Sequence, residues 1–291
     1  MTSFAPGVSL ARPRVAVLSS WVRDAPVTVI IAGLVVLFFA VAFVAPSLLA
    51  TGSPVNIDLT HALQAPSLHH IFGTDESGRD VYTRVIYGAR ESLLIGLGAT
   101  GLAMSLAVIL GTTAGLVGGL VDGIISRVGE IMFAFPVLML ALLFVAVFGP
   151  SVLTELIAVG ISSAPGYARM IRGQVLAVRG SGYVEAAHAL GHPSGRVIRR
   201  HILPNAMRPM VVVTTLGIGQ SIVWASGLAF LGLGAAPPSP EWGALLDAGR
   251  EYITQAWWLE MMPGLAIVLL ALSLTTIGRY IQQRLEGRGR R

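Results

Sequence analysis

Lysine is absent: all 20 basic residues of the 291-residue chain are arginine. A nucleotide-binding P-loop of the form G-x-x-x-x-G-K-[ST] uses its lysine to reach the β- and γ-phosphates. This chain cannot supply one, so any ATP-driven work needs a motor on another polypeptide. Schiff-base chemistry is excluded by the same absence. Cysteine is missing too, which removes disulfides, thiolate metal sites and cysteine nucleophiles and leaves the sequence silent on redox compartment. Charge of either sign is scarce. Charged residues make up 12% of the chain and hydrophobic ones 54%, with a mean hydropathy of +0.74. A soluble domain carries about 25% charged residues. That shortage, together with several long apolar runs, places the chain in a lipid bilayer.

The apolar runs predict an all-α integral membrane protein with six transmembrane helices, at about 27–50, 92–120, 131–148, 151–168, 209–233 and 261–278. They make a membrane domain over 27–280, preceded by a segment at 1–26 and followed by a basic tail at 281–291. The first run, Val27 to Ala50, holds no charge and follows 26 residues of chain. It is too long and too late for a cleaved signal peptide. Val81, Tyr82, Val85, Ile86, Ala89 and Leu93 recur at helical spacing with Arg79, Asp80, Arg84 and Arg90 between them. This pattern predicts a short amphipathic helix at the membrane surface before the second span. Glycines at 111, 115, 119 and 123 repeat G-x-x-x-G, a packing face for a neighbouring helix. Gly149-Pro150 ends the third span, and Pro165-Gly166 is expected to bend or loosen the end of the fourth. Trp242, Trp257 and Trp258, in the loop at 235–260, suit a membrane interface.

Arginine placement orients these spans. With the N-terminus inside, inner segments hold Arg12, Arg14, Arg23 and Arg127, seven arginines between 169 and 208, and five in the tail. Outer loops hold only Arg79, Arg84, Arg90 and Arg250. Such a bias follows the positive-inside rule and predicts both termini in the cytoplasm. Dropping the fourth span would turn the seven arginines outward and destroy it.

Ionisable groups are nearly missing from the spans, with Glu130 and Glu155 at their edges. Proton relays and ion-coupled carriers usually need such groups at depth. The informative segment lies instead between spans four and five. Tyr183 to Leu190 reads as a short helix that Gly191 closes in the left-handed conformation. Pro193 forbids simple continuation, Ser194 is the expected N-cap of a second helix, and Pro204 is expected to end it. Ala186, Ala187 and Ala189 leave so little side-chain bulk that a partner can approach the backbone. Arg196, Arg199 and Arg200 suit acidic headgroups or that partner.

This stretch, Glu185-Ala186-Ala187 with Gly191 three residues beyond His188 and Leu203-Pro204 a dozen further on, resembles the EAA loop of bacterial ABC importer permeases. The chain is similar in particular to the smaller, second-permease branch of the dipeptide/oligopeptide/nickel family. Further matches are Phe72-Gly73-Thr74-Asp75 with Gly78-Arg79-Asp80, Tyr87-Gly88-Ala89-Arg90, Phe133-Ala134-Phe135-Pro136, Pro165-Gly166-Tyr167-Ala168-Arg169, His201-Ile202-Leu203-Pro204-Asn205 and Phe230-Leu231-Gly232-Leu233-Gly234. The resemblance implies a non-catalytic subunit of the bacterial inner membrane. Its coupling loop at 183–205 would sit in a groove of an ATPase subunit, with Glu185, Ala186, Ala187, Leu190 and Gly191 docking or shaping the helix and Pro204 setting its exit. ATP and Mg would be held by one or two partner ATPases. A second homologous permease and an extracytoplasmic binding protein would complete the assembly, and no nucleic acid is involved. Family tails often end in an acidic Asp-Pro segment. Here Gln282-Gln283-Arg284 leads into further arginines, so tail contacts do not carry over and anionic lipid is the expected partner.

No catalytic, cofactor-binding or metal residue is assigned. His61, His69 and His70 lie in one loop and His188 and His192 are four apart, but Pro193 adjoins the latter pair and no third ligand is evident. Gln220 and Ser221 in span five either line the pathway or bond a neighbouring helix. Short peptides are the default substrate by resemblance, with nickel complexes, glutathione and haem-like ligands behind. Two other classes remain: an ATPase-independent channel or carrier, and an assembly protein with no transport path. Dependence on a separate ATPase separates the first, and substrate flux the second.

Overall fold

The computed structural model describes residues 25–288, where the named elements are all helical and no strand is named. The arginines at 12, 14, 23, 290 and 291 lie outside the described residues. In chain order the helices are α1 (Val27–Val44), α2 (Val81–Val117), α3 (Gly119–Phe133), α4 (Val137–Phe148), α5 (Val152–Arg179), α6 (Gly182–Ala189), α7 (Ser194–Val197), α8 (Leu203–Met207), α9 (Met210–Leu228), α10 (Trp242–Arg250) and α11 (Trp258–Arg288). Wide π turns join α7 to α8 and extend α9 to Leu233.

Four of these segments are long and apolar enough to cross a membrane: α1, α2, α9 with its extension, and α11. A fifth is obtained if α3 and α4, bent by 89° at their junction, count as one broken span. The bend falls at Ala134 to Pro136, where proline denies the next helix a continuous hydrogen-bond ladder. The run at 131–148 is therefore two helices. In contrast, α5 continues through Pro165 to Arg179, eleven residues beyond the predicted end of the fourth span.

The short surface helix and the second span also prove to be one element. Asp80 caps α2, its carboxylate accepting the Thr83 backbone N–H at 2.8 Å, and the helix runs unbroken to Gly118, whose φ of +72° stops it. At 1.5 Å per residue its 37 residues reach on the order of 55 Å, well beyond a hydrocarbon core of about 30 Å. The polar arginines at its start had suggested a separate helix. They are accommodated because that end is folded under the loop at 50–80.

Helix α2 is the spine of the fold. Val85, Ile86 and Ala89 pack with Phe39, Trp242, Trp258 and Ile267. Further along, Ile95 and Ala99 meet Val145, Ala158 and Leu228, and Ala107 meets Ile171, Val175 and Val197. Its main partner is α5, and glycine permits the approach. A methyl group on Gly111 would stand 2.6 Å from the Ala168 carbonyl oxygen, and one on Gly115 2.8 Å from Val175. The predicted glycine stripe is thus half right. Gly119 belongs to the turn between α2 and α3, at φ +55°, and neither it nor Gly123 has a neighbour within 4 Å.

Candidate functional site

The segment with the EAA-like pattern emerges from the end of α5. Arg179 there donates to the carbonyl oxygens of Gly115 and Leu116 at 3.2 and 3.1 Å. These are among the last carbonyls of α2, which lack helical partners and carry the negative end of its dipole. The arm therefore starts from a point fixed to the spine.

Helix α6 follows. Val184 and Ala187, three apart, share one face and are buried against Ala168, Ile171 and Val175 of α5 together with Val197, Ile202 and Ala206. Glu185, Ala186 and Leu190 are exposed, Leu190 by 77%. Ala187 thus packs inward on its own subunit, which corrects the expectation that it leaves room for a partner. The stop is a complete Schellman motif: Gly191 N–H donates to His188 O at 2.9 Å and His192 N–H to Ala187 O at 3.2 Å. Gly191 adopts φ +78°, as the pattern predicted. The motif turns the chain sharply and leaves α6 as a small exposed ridge.

Two details of the second helix differ from expectation. Ser194 is its first residue, not its N-cap. Pro193 occupies that position with ψ 142°, and its carbonyl accepts from Arg196 and Val197. Pro204 does not end the helix either. A proline lacks an N–H and its ring crowds the carbonyl four residues earlier. Here the preceding turn, Ile198–Ile202, widens to a π turn, and α8 continues through Pro204 to Met207. Asn205 Nδ2 donates to the His201 carbonyl at 2.7 Å. Arg199 and Arg200 remain exposed on this wide turn.

Toward the bundle, the junction of α2, α3 and α5 forms a partly open, mainly apolar cavity of about 650 Å³, bordered by Gly111, Ala114, Ile124, Phe133 and Arg172. Gln220 on α9 is exposed, whereas Ser221 is 2% exposed and accepts a hydrogen bond from Thr100 Oγ1 of α2 at 2.9 Å. Of the two roles open to Ser221, the structure gives it the neighbour bond.

Sequence reasoning placed Glu155 at the edge of a span and did not foresee the burial of Glu155 or Glu241. Glu155 starts α5 but is fully buried, and Glu241, 1% exposed, caps α10. Glu241 accepts from Gly243 N–H at 2.9 Å, Ala244 N–H at 2.7 Å and Ser92 Oγ at 3.0 Å. Burial pushes its carboxyl above the ordinary range, and those three donors oppose the rise. In the loop at 50–80, Asp75 Oδ2 accepts from Arg79 Nε at 2.7 Å and from Arg84 Nη1 at 2.5 Å, all three side chains being nearly inaccessible. The i, i+4 spacing of Asp75 and Arg79 was the available signal. Asp58 in the same loop is held below the usual carboxylate range by hydrogen bonds from Thr60 and His61. Among the described residues, no group of three or more acidic or histidine side chains is placed to hold a metal ion.

Comparison with known proteins agrees with this arrangement. The model for the binding-protein-dependent transport system inner membrane component matches residues 107–291. The chain is 42% identical over 258 residues to the dipeptide transport system permease protein DppC of Alkalihalophilus pseudofirmus, covering 88% of this chain and 84% of that one. It is 40% identical to the probable D,D-dipeptide transport system permease protein DdpC of Escherichia coli K12, over 91% and 88% of the two chains. The glutathione transport system permease protein GsiD of Shigella dysenteriae is 38% identical over 87% and 83%. Among solved structures, an amino acid ABC transporter aligns with a TM-score of 0.54 at 19% identity, over 70% of this chain and 94% of that one. That likeness concerns the fold alone. With the matched region running from the middle of α2 through the arm to the last helix, the chain belongs to the family of binding-protein-dependent transport system inner membrane components.

Proposed function

We propose that the chain is a permease subunit of an ATP-driven importer of short peptides and forms half of the translocation pathway. The observation that carries this reading is α6, a capped ridge fixed to α5 and α2 that turns Glu185, Ala186 and Leu190 outward. A rigid exposed ridge on a membrane protein is what a mechanical partner can grip. In this reading Glu185, Ala186 and Leu190 enter a groove of an ATPase subunit. Ala187 seats the ridge on α5, Gly191 sets its end, and Pro204 with its π turn sets the return to α9. ATP and Mg are bound by one or two partner ATPases, since this chain has no lysine for a P-loop.

Six crossings follow if α3 and α4 form one broken span and the 28-residue α5 forms another. Both termini and the arm then face the cytoplasm, in keeping with the arginine bias. A second homologous permease supplies the other half of the pathway, and an outer binding protein delivers the substrate. Gln220, exposed on α9, is the residue proposed to face the path. The dipeptide systems among the relatives favour peptides. Glutathione, itself a tripeptide, is the alternative favoured by the glutathione relatives, ahead of nickel complexes or haem.

The test is purification of the tagged chain in mild detergent with its partners, followed by reconstitution and uptake of labelled di- and tripeptides. Co-purifying ATPase and second permease chains with ATP-dependent uptake are expected. Uptake without any ATPase would overturn the reading in favour of a channel or carrier.

A further inference from the structure

Helix α3 is weakly held for an element of a packed bundle. None of its residues is buried. It hangs from α2 by Gly118 and Gly119, both at positive φ and both without a neighbour within 4 Å of an added methyl group, and it breaks from α4 at the 89° bend. Yet it forms one wall of the 650 Å³ cavity, whose other walls are α2 and α5. Among the described residues, one ion pair ties it to the body. Arg172 of α5 grips Asp122 with both arms of its guanidinium, Nε to Oδ1 at 2.5 Å and Nη2 to Oδ2 at 2.6 Å. Ser126 Oγ donates to the same Oδ1 at 3.2 Å and holds the carboxylate in line.

Two comparisons indicate what this pair does. The Asp75 cluster is a buried ionic lock, with each side chain at most 8% exposed. Arg172 and Asp122 are 34% and 20% exposed. A pair so open to water contributes little to net stability, but a bidentate fork still fixes direction and distance. Its place matters as much. Arg172 lies two turns before Arg179, the anchor of the arm, next to Ile171 and one turn before Val175, against which α6 is packed. A displacement of the α6 ridge therefore reaches Arg172 through a continuous helix, and among the described residues Arg172 holds the ionic handle that joins α3 to another helix.

We propose that the Asp122–Arg172 pair is the tie by which movement of the coupling arm carries α3, so that these two residues position the inner cavity wall during transport. This rests on the proposed coupling role of α6. Neither residue touches substrate in the proposal. The handle fits because α3 is bounded by a glycine turn at one end and the 89° bend at the other, and has no fully buried side chain to resist movement.

The test uses the complete transporter with its partner chains, in proteoliposomes. Asp122→Asn and the exchange D122R/R172D are compared with wild type for ATP hydrolysis, for uptake of labelled dipeptides, and for the distance between spin labels at L120C on α3 and L176C on α5. In wild type the label distance is expected to hold steady between nucleotide-free and vanadate-trapped states. In D122N it should change on trapping, while uptake per ATP hydrolysed falls about tenfold, within the range of measured coupling free energies. The exchange should recover most of that ratio. A D122N transporter with wild-type coupling and a steady distance overturns the tie. If D122N does not assemble, an exchange variant that assembles yet stays uncoupled overturns it equally. A wild-type complex in which hydrolysis and uptake are independent would instead remove the coupling reading on which the proposal stands.

Discussion

Ser92 Oγ donates to Glu241 Oε1 at 3.0 Å while accepting the backbone N–H of Trp242 at 3.0 Å. One hydroxyl on α2 thereby fastens the first turn of α10, almost 150 residues later in the chain. Trp242, fully buried, adds its own bond to the Val85 carbonyl at 2.8 Å. The anchor of α10 is therefore polar at its centre and sealed by an indole.

Replacing Glu241 should show what that centre contributes. Glu241→Ala removes an N-cap and leaves the Ser92 hydroxyl without its acceptor, a loss of about 2–3 kcal/mol. Glu241→Gln keeps one oxygen acceptor and should cost much less. Because burial raises the Glu241 carboxyl, the folded state binds that proton more tightly than the unfolded state does. Its contribution should improve as pH falls from neutral toward the ordinary value of 4.5, and the glutamine variant should lose that dependence. Thermal melting in detergent across this window checks both statements.

Gly111 offers a test of helix contact. Gly111→Leu drives a side chain into the Ala168 carbonyl and Ile171, and overpacking of this kind typically costs about 1–3 kcal/mol. Gly123→Leu meets open space and should melt like wild type. Equal melting temperatures for the two variants would deny that α2 and α5 pack through Gly111.

The Schellman end of α6 predicts a graded effect on coupling. Gly191→Ala forces an L side chain into the left-handed region at about 1–2 kcal/mol, and Gly191→Pro also deletes the bond to His188 O. Uptake should fall in that order while ATP hydrolysis and membrane insertion persist. Glu185→Ala, which changes an exposed side chain, should lower uptake with no change in melting. Normal uptake in all three would remove the ridge from the coupling path.

Asp75→Asn removes the buried charge shared by Arg79 and Arg84; Arg79 keeps Glu76 at 2.6 Å, and Arg84 is left without an ionic partner. Breaking a buried ionic group in this way usually costs roughly 3–5 kcal/mol. The variant should melt well below wild type or fail to accumulate, whereas Asp58→Asn, at an exposed site, should not.

Topology can be read with single cysteines, since no native thiol competes. Leu68→Cys, on a fully exposed side chain, is expected to react with an impermeant maleimide added outside intact cells, and His188→Cys only after permeabilisation. Labelling of position 188 from outside would reverse the proposed orientation.

Several features were legible in the chain alone because their physics is local. The Gly191 stop needed only a glycine after a short helical pattern. Other readings failed where a neighbour changed the outcome. Arg79 and Arg84 looked like the face of a surface helix, but Asp75 and Glu76 pair with them, and α2 runs on as one helix. Pro204 looked like a terminator, but the π turn before it absorbs the misfit.

What the sequence determined by itself was residence in the membrane, helical class, the absence of a lysine for a P-loop, and the position of the arm. All of these follow from composition and short-range pattern. The tertiary structure alone decided that Ala187 faces inward, that Ser221 bonds Thr100, that Glu155 is buried and that Asp122 is gripped by Arg172. Each depends on which helices meet in space, and the Thr100–Ser221 and Asp122–Arg172 bonds do so across 50 or more residues of chain. Hydropathy gives the period of a helix but does not name the neighbour its faces will find.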